Sequence, residues 1–340
     1  MLPAVPNPYS GMHAIERRFL LLRRAPPDLT GALRCALAHV LAADAPANAM
    51  ADPDPSPPAS DFRIPLLCEA GFAIAAAVDA EAARLIAAGP GELAYHNRHH
   101  FCEATLAMGW ICAIAHTRGA ISLHQAMLGV VAMVGHDYGH DGSWDQTGAL
   151  EELAANTVTA IAASVGVGVE DRSALYGIIL ATALPAVRRN KDRAAVRERA
   201  GQRQTGLEAM HLMASEADVL TSLMPGLGCR LGHALAAEWA ANPGTPPLDP
   251  ASFTGRVAFL GLHDYLSDAS IELGLLHMHV SQVMAFRQLA VRWGQAALPE
   301  EGAAILDRLP PRQATRIFAA AMLQTRSGSQ PPIPPELRLI

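Results

Sequence analysis

Two short stretches of this sequence concentrate side chains that bind metal ions and move protons. YHNRHHF, from Tyr95 to Phe101, holds three histidines, and GHDYGHDG, from Gly135 to Gly142, holds His136, Asp137 and His140. If the first stretch opens a helix, His96 and His100 stand four residues apart on one face, and His99 points elsewhere. The second stretch closes an apolar run, Met127 to Val134, and its glycines permit tight turns. A third piece, ASEADVL, places Asp218 within a largely apolar helix.

Most of the fourteen histidines have an ordinary explanation. A lone imidazole on a helix is usually a satisfied core group or a surface group, and His13, His39, His99, His116, His124, His211, His233, His263, His277 and His279 are read that way. An adjacent His–Asp pair beneath the end of an apolar helix is different, because charge buried there needs compensation. A divalent cation supplies it. The set His100, His136, Asp137 and Asp218 offers two imidazoles and two carboxylates. That mixture suits Zn²⁺, Mn²⁺, Fe²⁺ or Mg²⁺ rather than copper or an iron–sulfur cluster.

The elements that position these groups are expected to be helices. Ala and Leu dominate an apolar half of the chain, β-branched runs are scarce, and no alternating strand pattern occurs. The expected fold is an all-α, compact helical domain. Residues 1–44 form an N-terminal helical segment, with Ile15, Phe19, Leu20, Leu33 and Leu37 inward and a break at Pro26–Pro27. Residues 45–60 are a Pro/Ala-rich linker. Residues 61–327 are a string of helices carrying the site, and 328–340 are a Pro-rich tail. GVGVE at 166–170 is a turn and matches no dinucleotide fingerprint. A net charge of −6 argues against nucleic acid as a partner. Five scattered cysteines without a CxxC pair read as reduced thiols, the N-terminus lacks a signal-peptide pattern, and no apolar stretch is long enough to span a bilayer, so a cytoplasmic protein with no membrane partner is expected. The N-terminal segment leaves docking onto the helical domain, homodimerisation and partner binding open.

HDYGH resembles the HD motif of the HD-domain metal-dependent phosphohydrolases. YHNRHH resembles the YHNxxH signature of class I 3′,5′-cyclic nucleotide phosphodiesterases. IILATAL at 178–184, EADVL at 216–220 and SQVMAF at 281–286 are similar, in the same order, to that family's LATDM, A-D and SQVGF segments. The resemblance covers roughly Tyr95 to Phe286. It implies a phosphodiesterase-type catalytic domain in which His100, His136, Asp137 and Asp218 hold a first metal, zinc, and Asp137 bridges to a second, magnesium or manganese, with iron admissible. It further implies His140 orienting metal waters, His96 as general acid, Tyr95 and Asn97 shaping the start of their helix, Gln282 reading a base edge, and Phe286 stacking on the base. The substrate pocket is expected among Tyr95, Leu184, Thr221, Gln282 and Phe286.

The implied chemistry is hydrolysis of a small phosphodiester, a cyclic nucleotide (cAMP or cGMP) by default. Hydroxide shared by two cations roughly 3.5–4 Å apart attacks phosphorus, and His96 protonates the leaving alkoxide. Departures from the family fall outside the ligand set. LENHH is replaced by LAANT, so Ala154, Asn156 and Thr157 stand in its place, with Glu151 and Glu152 nearby at another helical phase. Asp145, Ala183, Leu184 and Thr221 replace the family's Asn, Asp, Met and Asn. One extra residue separates Gln282 from Phe286. Two further readings are a phosphomonoesterase, which would draw on Arg98, Arg188, Arg189 and Lys191 to hold a dianion, and an inactive nucleotide sensor.

Overall fold

The computed structural model describes residues 14–48, 63–89, 91–242, 248–263 and 266–327. His13, the linker beyond Asn48 and the Pro-rich tail lie outside the described residues. These contain fifteen helices and no strand, so the fold is all-α. In chain order the helices are α1 (Ala14–Leu22), α2 (Leu29–Asn48), α3 (Arg63–Ala88), α4 (Arg98–Thr117), α5 (Leu123–Val134), α6 (Ala149–Ser164), α7 (Val169–Leu180) and α8 (Leu184–Arg199). They continue with α9 (Gly206–Val219), α10 (Pro225–Ala240), α11 (Phe253–Leu262), α12 (Asp268–Glu272), α13 (Leu275–Arg292), α14 (Pro299–Asp307) and α15 (Pro311–Ser327). None of the described helices is long and apolar enough to cross a membrane.

Helix α5 organises the main core. Its sequence, LHQAMLGVVAMV, has almost no polar face, and every residue from Ala126 to Val134 is buried. A helix that is apolar all round is stable only when surrounded, and α2, α3, α4, α7 and α9 surround it. Its start is set by a capping box, in which the Ser122 hydroxyl accepts from Gln125 N–H and the Gln125 side chain accepts from Ser122 N–H. Its other end therefore delivers His136 and Asp137 into the interior.

The N-terminal helices belong to this same core. Pro26 and Pro27 separate α1 from α2, and Ile15, Phe19, Leu20, Leu33 and Leu37 are all buried. Helix α2 lies against α4 so closely that a Cβ on Gly109 would stand 2.6 Å from Ala36 Cβ and 2.7 Å from its Cα. Two polar ties reinforce the packing. Arg23, between α1 and α2, donates to both carboxylate oxygens of buried Glu103 on α4, at 2.5 and 2.7 Å. Glu16 accepts from the N–H groups of Gly226 and Leu227 at the start of α10, where a carboxylate complements the helix dipole.

A second, smaller core joins α11, α13, α14 and α15 around Phe286, Leu289, Leu306 and Phe318. Phe286 is fully buried there and stacks on Phe318, with ring centroids 4.8 Å apart. This corrects the expectation that Phe286 faces a ligand. On α13 its side chain turns toward α15, and the interior aromatic contact is where its apolar surface goes.

The close contact between α2 and α4 is testable. Gly109→Val is expected to destabilise the protein by about 1–3 kcal/mol through overpacking. The midpoint of chemical denaturation should fall while the slope of the transition stays unchanged.

Candidate metal centre

Four side chains from three elements meet at one point. His100 comes from the first turn of α4, His136 and Asp137 follow α5, and Asp218 lies in the last turn of α9. Local sequence explains each placement. Asn97 caps α4: its side-chain oxygen accepts from His99 and His100 N–H, and its amide donates to the carbonyls of Leu93 and Ala94. The helix thus starts at Arg98, and His96 lies just outside it rather than one turn below His100 on a shared face. The two rings still meet edge to face, 5.8 Å apart.

His100 Nε2 stands 3.1 Å from both Asp137 Oδ2 and Asp218 Oδ1. His136 Nε2 stands 3.2 Å from Asp137 Oδ2, 3.3 Å from Asp218 Oδ1 and 3.2 Å from His100 Nε2. With metal–ligand bonds of about 2.0–2.2 Å, neighbouring ligand atoms sit roughly 3.0–3.5 Å apart, so these spacings suit a shared cation. The donor chemistry agrees. His136 Nδ1 donates to the Met133 carbonyl at 3.0 Å, which orients Nε2 toward the cluster, as the outer partner of a ligating histidine does. Both imidazoles are fully buried. Burial opposes their charged forms, but the adjacent carboxylates overcome it, raising His100 to about 9 and His136 well above its ordinary value. The same pairing overcomes burial at the acids, holding Asp218 at about 2 and Asp137 well below the carboxylate range. The cluster therefore attracts positive charge, and a divalent cation competes for it with the protons on the two rings.

A second group adjoins it: His96, His140 and Glu238. His96 Nδ1 donates to Glu238 Oε1 at 2.5 Å, while Glu238 Oε2 accepts from the backbone N–H groups of Tyr95 and His96. Burial works to raise the Glu238 carboxyl, yet these bonds outweigh it and keep it below its ordinary value. His140 stacks on His96, with centroids 3.6 Å apart, and its Nδ1 accepts from Gly142 N–H at 2.9 Å. Burial and the neighbouring His96 lower His140 to about 4, so this ring is neutral near pH 7.

Both groups open onto a cavity of about 420 Å³, within the usual size range of small-molecule pockets. Tyr95 and Leu184 line it, as expected from the sequence. Three other residues expected in the pocket do not. Gln282 is fully buried, its amide donating to the carbonyls of Leu223 and Met278 and its oxygen accepting from Arg256. Thr221 is buried and donates to Glu103 at 3.1 Å. Phe286 lies in the second core. Arg98 is committed to Glu92 and Asp79, while Arg188 does line the cavity.

Several residues in or beside the cavity had no clear signature in the sequence. Glu238, 142 residues away in the chain, is the carboxylate partner of His96. Glu151 lines the cavity with one buried oxygen lacking a partner, and burial, with the charges of Asp137 and Asp218, raises its carboxyl to about 7. Trp144 and Trp239 meet edge to face at 4.7 Å and form an aromatic wall. His263, read from sequence as an ordinary core residue, is buried but reaches the cavity. Arg256 is legible in the sequence as a lone charge in an apolar helix.

The cluster yields a direct test. Adding Zn²⁺ or Mn²⁺ to chelator-treated protein is expected to raise its melting temperature by several degrees, as a ligand selective for the folded state does. Asp218→Ala should abolish that rise, and a full rise in the variant would remove Asp218 from the site.

No protein-family model matches this chain, and no curated protein matches it.

Proposed function

We propose that this protein is a metal-dependent phosphohydrolase that cleaves a small phosphodiester. The observation that carries this reading is the convergence of His100, His136, Asp137 and Asp218 beside a hydrogen-bonded pair, His96 and Glu238, at one cavity. Two divalent cations, zinc with magnesium or manganese, would neutralise the phosphodiester and supply hydroxide at neutral pH. His100, His136, Asp137 and Asp218 would hold the first, with Asp137 shared.

The protein's own groups supply the rest. Glu238 grips the Nδ1 proton of His96 and fixes the ring, which leaves Nε2 as the atom that hands a proton to a departing alkoxide. His140 stacks against the same ring and limits its rotation. Tyr95 donates to or accepts from Ser222 at 2.8 Å, and its ring packs 5.0 Å from that of His100, closing the floor of the site. The Trp144–Trp239 wall excludes water from one side. A 3′,5′-cyclic nucleotide is the reference substrate that the motif resemblance suggests, and any base it carries would be held by groups other than Gln282 and Phe286.

A phosphomonoester is the second reading, favoured by the presence of Arg188 and Arg256 in the same cavity, since two cations suit a dianion. Turnover of cAMP, cGMP, bis-p-nitrophenyl phosphate and p-nitrophenyl phosphate by metal-reconstituted protein separates the two. Diester cleavage that is lost in Asp137→Ala supports the first reading, and cleavage of the monoester alone supports the second.

Leaving-group dependence tests the acid. His96→Ala is expected to slow release of an alkoxide by roughly 10²–10⁴-fold and to slow release of p-nitrophenolate far less, because that anion leaves without a proton. An equal loss on both substrates would assign His96 a binding role.

A further inference from the structure

Arg256 of α11 is an unusual residue to find in this interior. It is 6% exposed, and it lines the same cavity as Asp137 and Asp218. Its Nε and Nη2 donate to Gln282 Oε1 at 3.1 and 2.7 Å, Nη2 donates to the Met224 carbonyl at 2.9 Å, and Nη1 donates to the Ser222 carbonyl. Every one of these acceptors is neutral. A guanidinium carries five N–H donors, so one hydrogen, on Nη1, is left over. No described carboxylate forms an ion pair with it. Glu16, the carboxylate that acts on it electrostatically, is bound to Gly226 and Leu227 N–H. A buried cation without a counterion is costly; Arg23, by contrast, is paired with the Glu103 carboxylate.

The surroundings hold this cation in a set position. The Gln282 amide is anchored by the Leu223 and Met278 carbonyls, so its oxygen can only face Arg256. The Phe259 ring lies 5.7 Å from the guanidinium carbon, within cation–π range. Gly228 leaves the seat open: a Cβ there would stand 2.2 Å from the Ser222 carbonyl oxygen, 2.5 Å from Nη1 and 2.8 Å from Nη2.

We propose that Arg256, aimed by Gln282 and seated on Gly228, is an anion-recognition subsite that binds a carboxylate-like group on the substrate, remote from the phosphorus. This rests on the phosphohydrolase reading only in taking the ligand to be a substrate. The carboxylate would supply the missing counterion and accept the free Nη1 hydrogen. Gln282 then serves as a positioning residue for Arg256 and reads no base edge.

The test uses matched p-nitrophenyl alkyl phosphodiesters of several chain lengths, ended by a methyl or by a carboxylate. Calorimetric titration into chelator-treated full-length protein reads binding apart from catalysis. At the best chain length the carboxylate-ended probe is expected to bind about 10- to 100-fold more tightly, the usual strength of a charge-assisted hydrogen bond. Arg256→Met should erase that preference and Arg256→Lys should retain part of it. Equal binding of the two probes by the natural protein at every length, or a preference that survives Arg256→Met, would overturn the proposal. Should Arg256→Met fail to fold, Gln282→Met carries the same test by removing the oxygen that aims the guanidinium, and it should reduce the preference. A purely structural arginine would lower stability in these variants without changing the ratio between the probes. Turnover is read separately. Carboxylate preference without hydrolysis of any probe would keep the subsite and sink the phosphohydrolase reading, while hydrolysis without preference would do the reverse.

Discussion

The Nε2 atoms of His100 and His136 face each other at 3.2 Å inside an apolar core, with the carboxylates of Asp137 and Asp218 completing the ring. In that environment two imidazolium groups repel, two carboxylates repel, and the cost of removing four such groups from water is several kcal/mol per ion. Only a positive charge placed among them satisfies all four at once. Protons on the rings do this partially, and a divalent cation does it from one point. The rest of the structure follows from keeping these groups together. Helix α5 must end deep in the bundle, α4 must begin at a fixed residue, and Asp218 must sit in the last turn of α9.

The supporting contacts reach far from the cluster. Glu16 on α1 caps α10, and α10 carries Glu238, the residue that orients His96. Arg23 holds Glu103, which lies one turn after His100 on α4 and accepts from Thr221, three residues beyond Asp218. The N-terminal helices are thus tied by hydrogen bonds to segments that carry both clusters, His100 with Asp218 and Glu238 with His96. Their burial against α4 gives these ties a dry environment in which each bond is stronger than it would be in water.

Much of this was legible in the sequence, for physical reasons. Helices were readable from composition, from Pro26–Pro27, and from the inward spacing of Phe19, Leu33 and Leu37, all of which are buried. His100, His136, Asp137 and Asp218 stood out because ligand-type residues sat where an apolar helix should have none, and the structure brings them together. The pocket was less legible. Gln282 and Phe286 share a face of α13, which the sequence does reveal, but what that face meets depends on α11 and α15, and no local pattern encodes that. Glu238 and Arg256 also carry a local signal, a single charge among apolar neighbours. That signal alone assigns no role, because their partners, His96 and Gln282, are contacts between distant segments.

The most direct measurement is an anomalous-difference map from crystals of the protein grown with Zn²⁺ or Mn²⁺ and recorded at that metal's absorption edge. A peak is expected within about 2.0–2.3 Å of His100 Nε2, His136 Nε2 and one oxygen each of Asp137 and Asp218. A map with no peak there at saturating metal, or with the only peak elsewhere, would show that the four side chains are a buried ion-pair network and no metal centre.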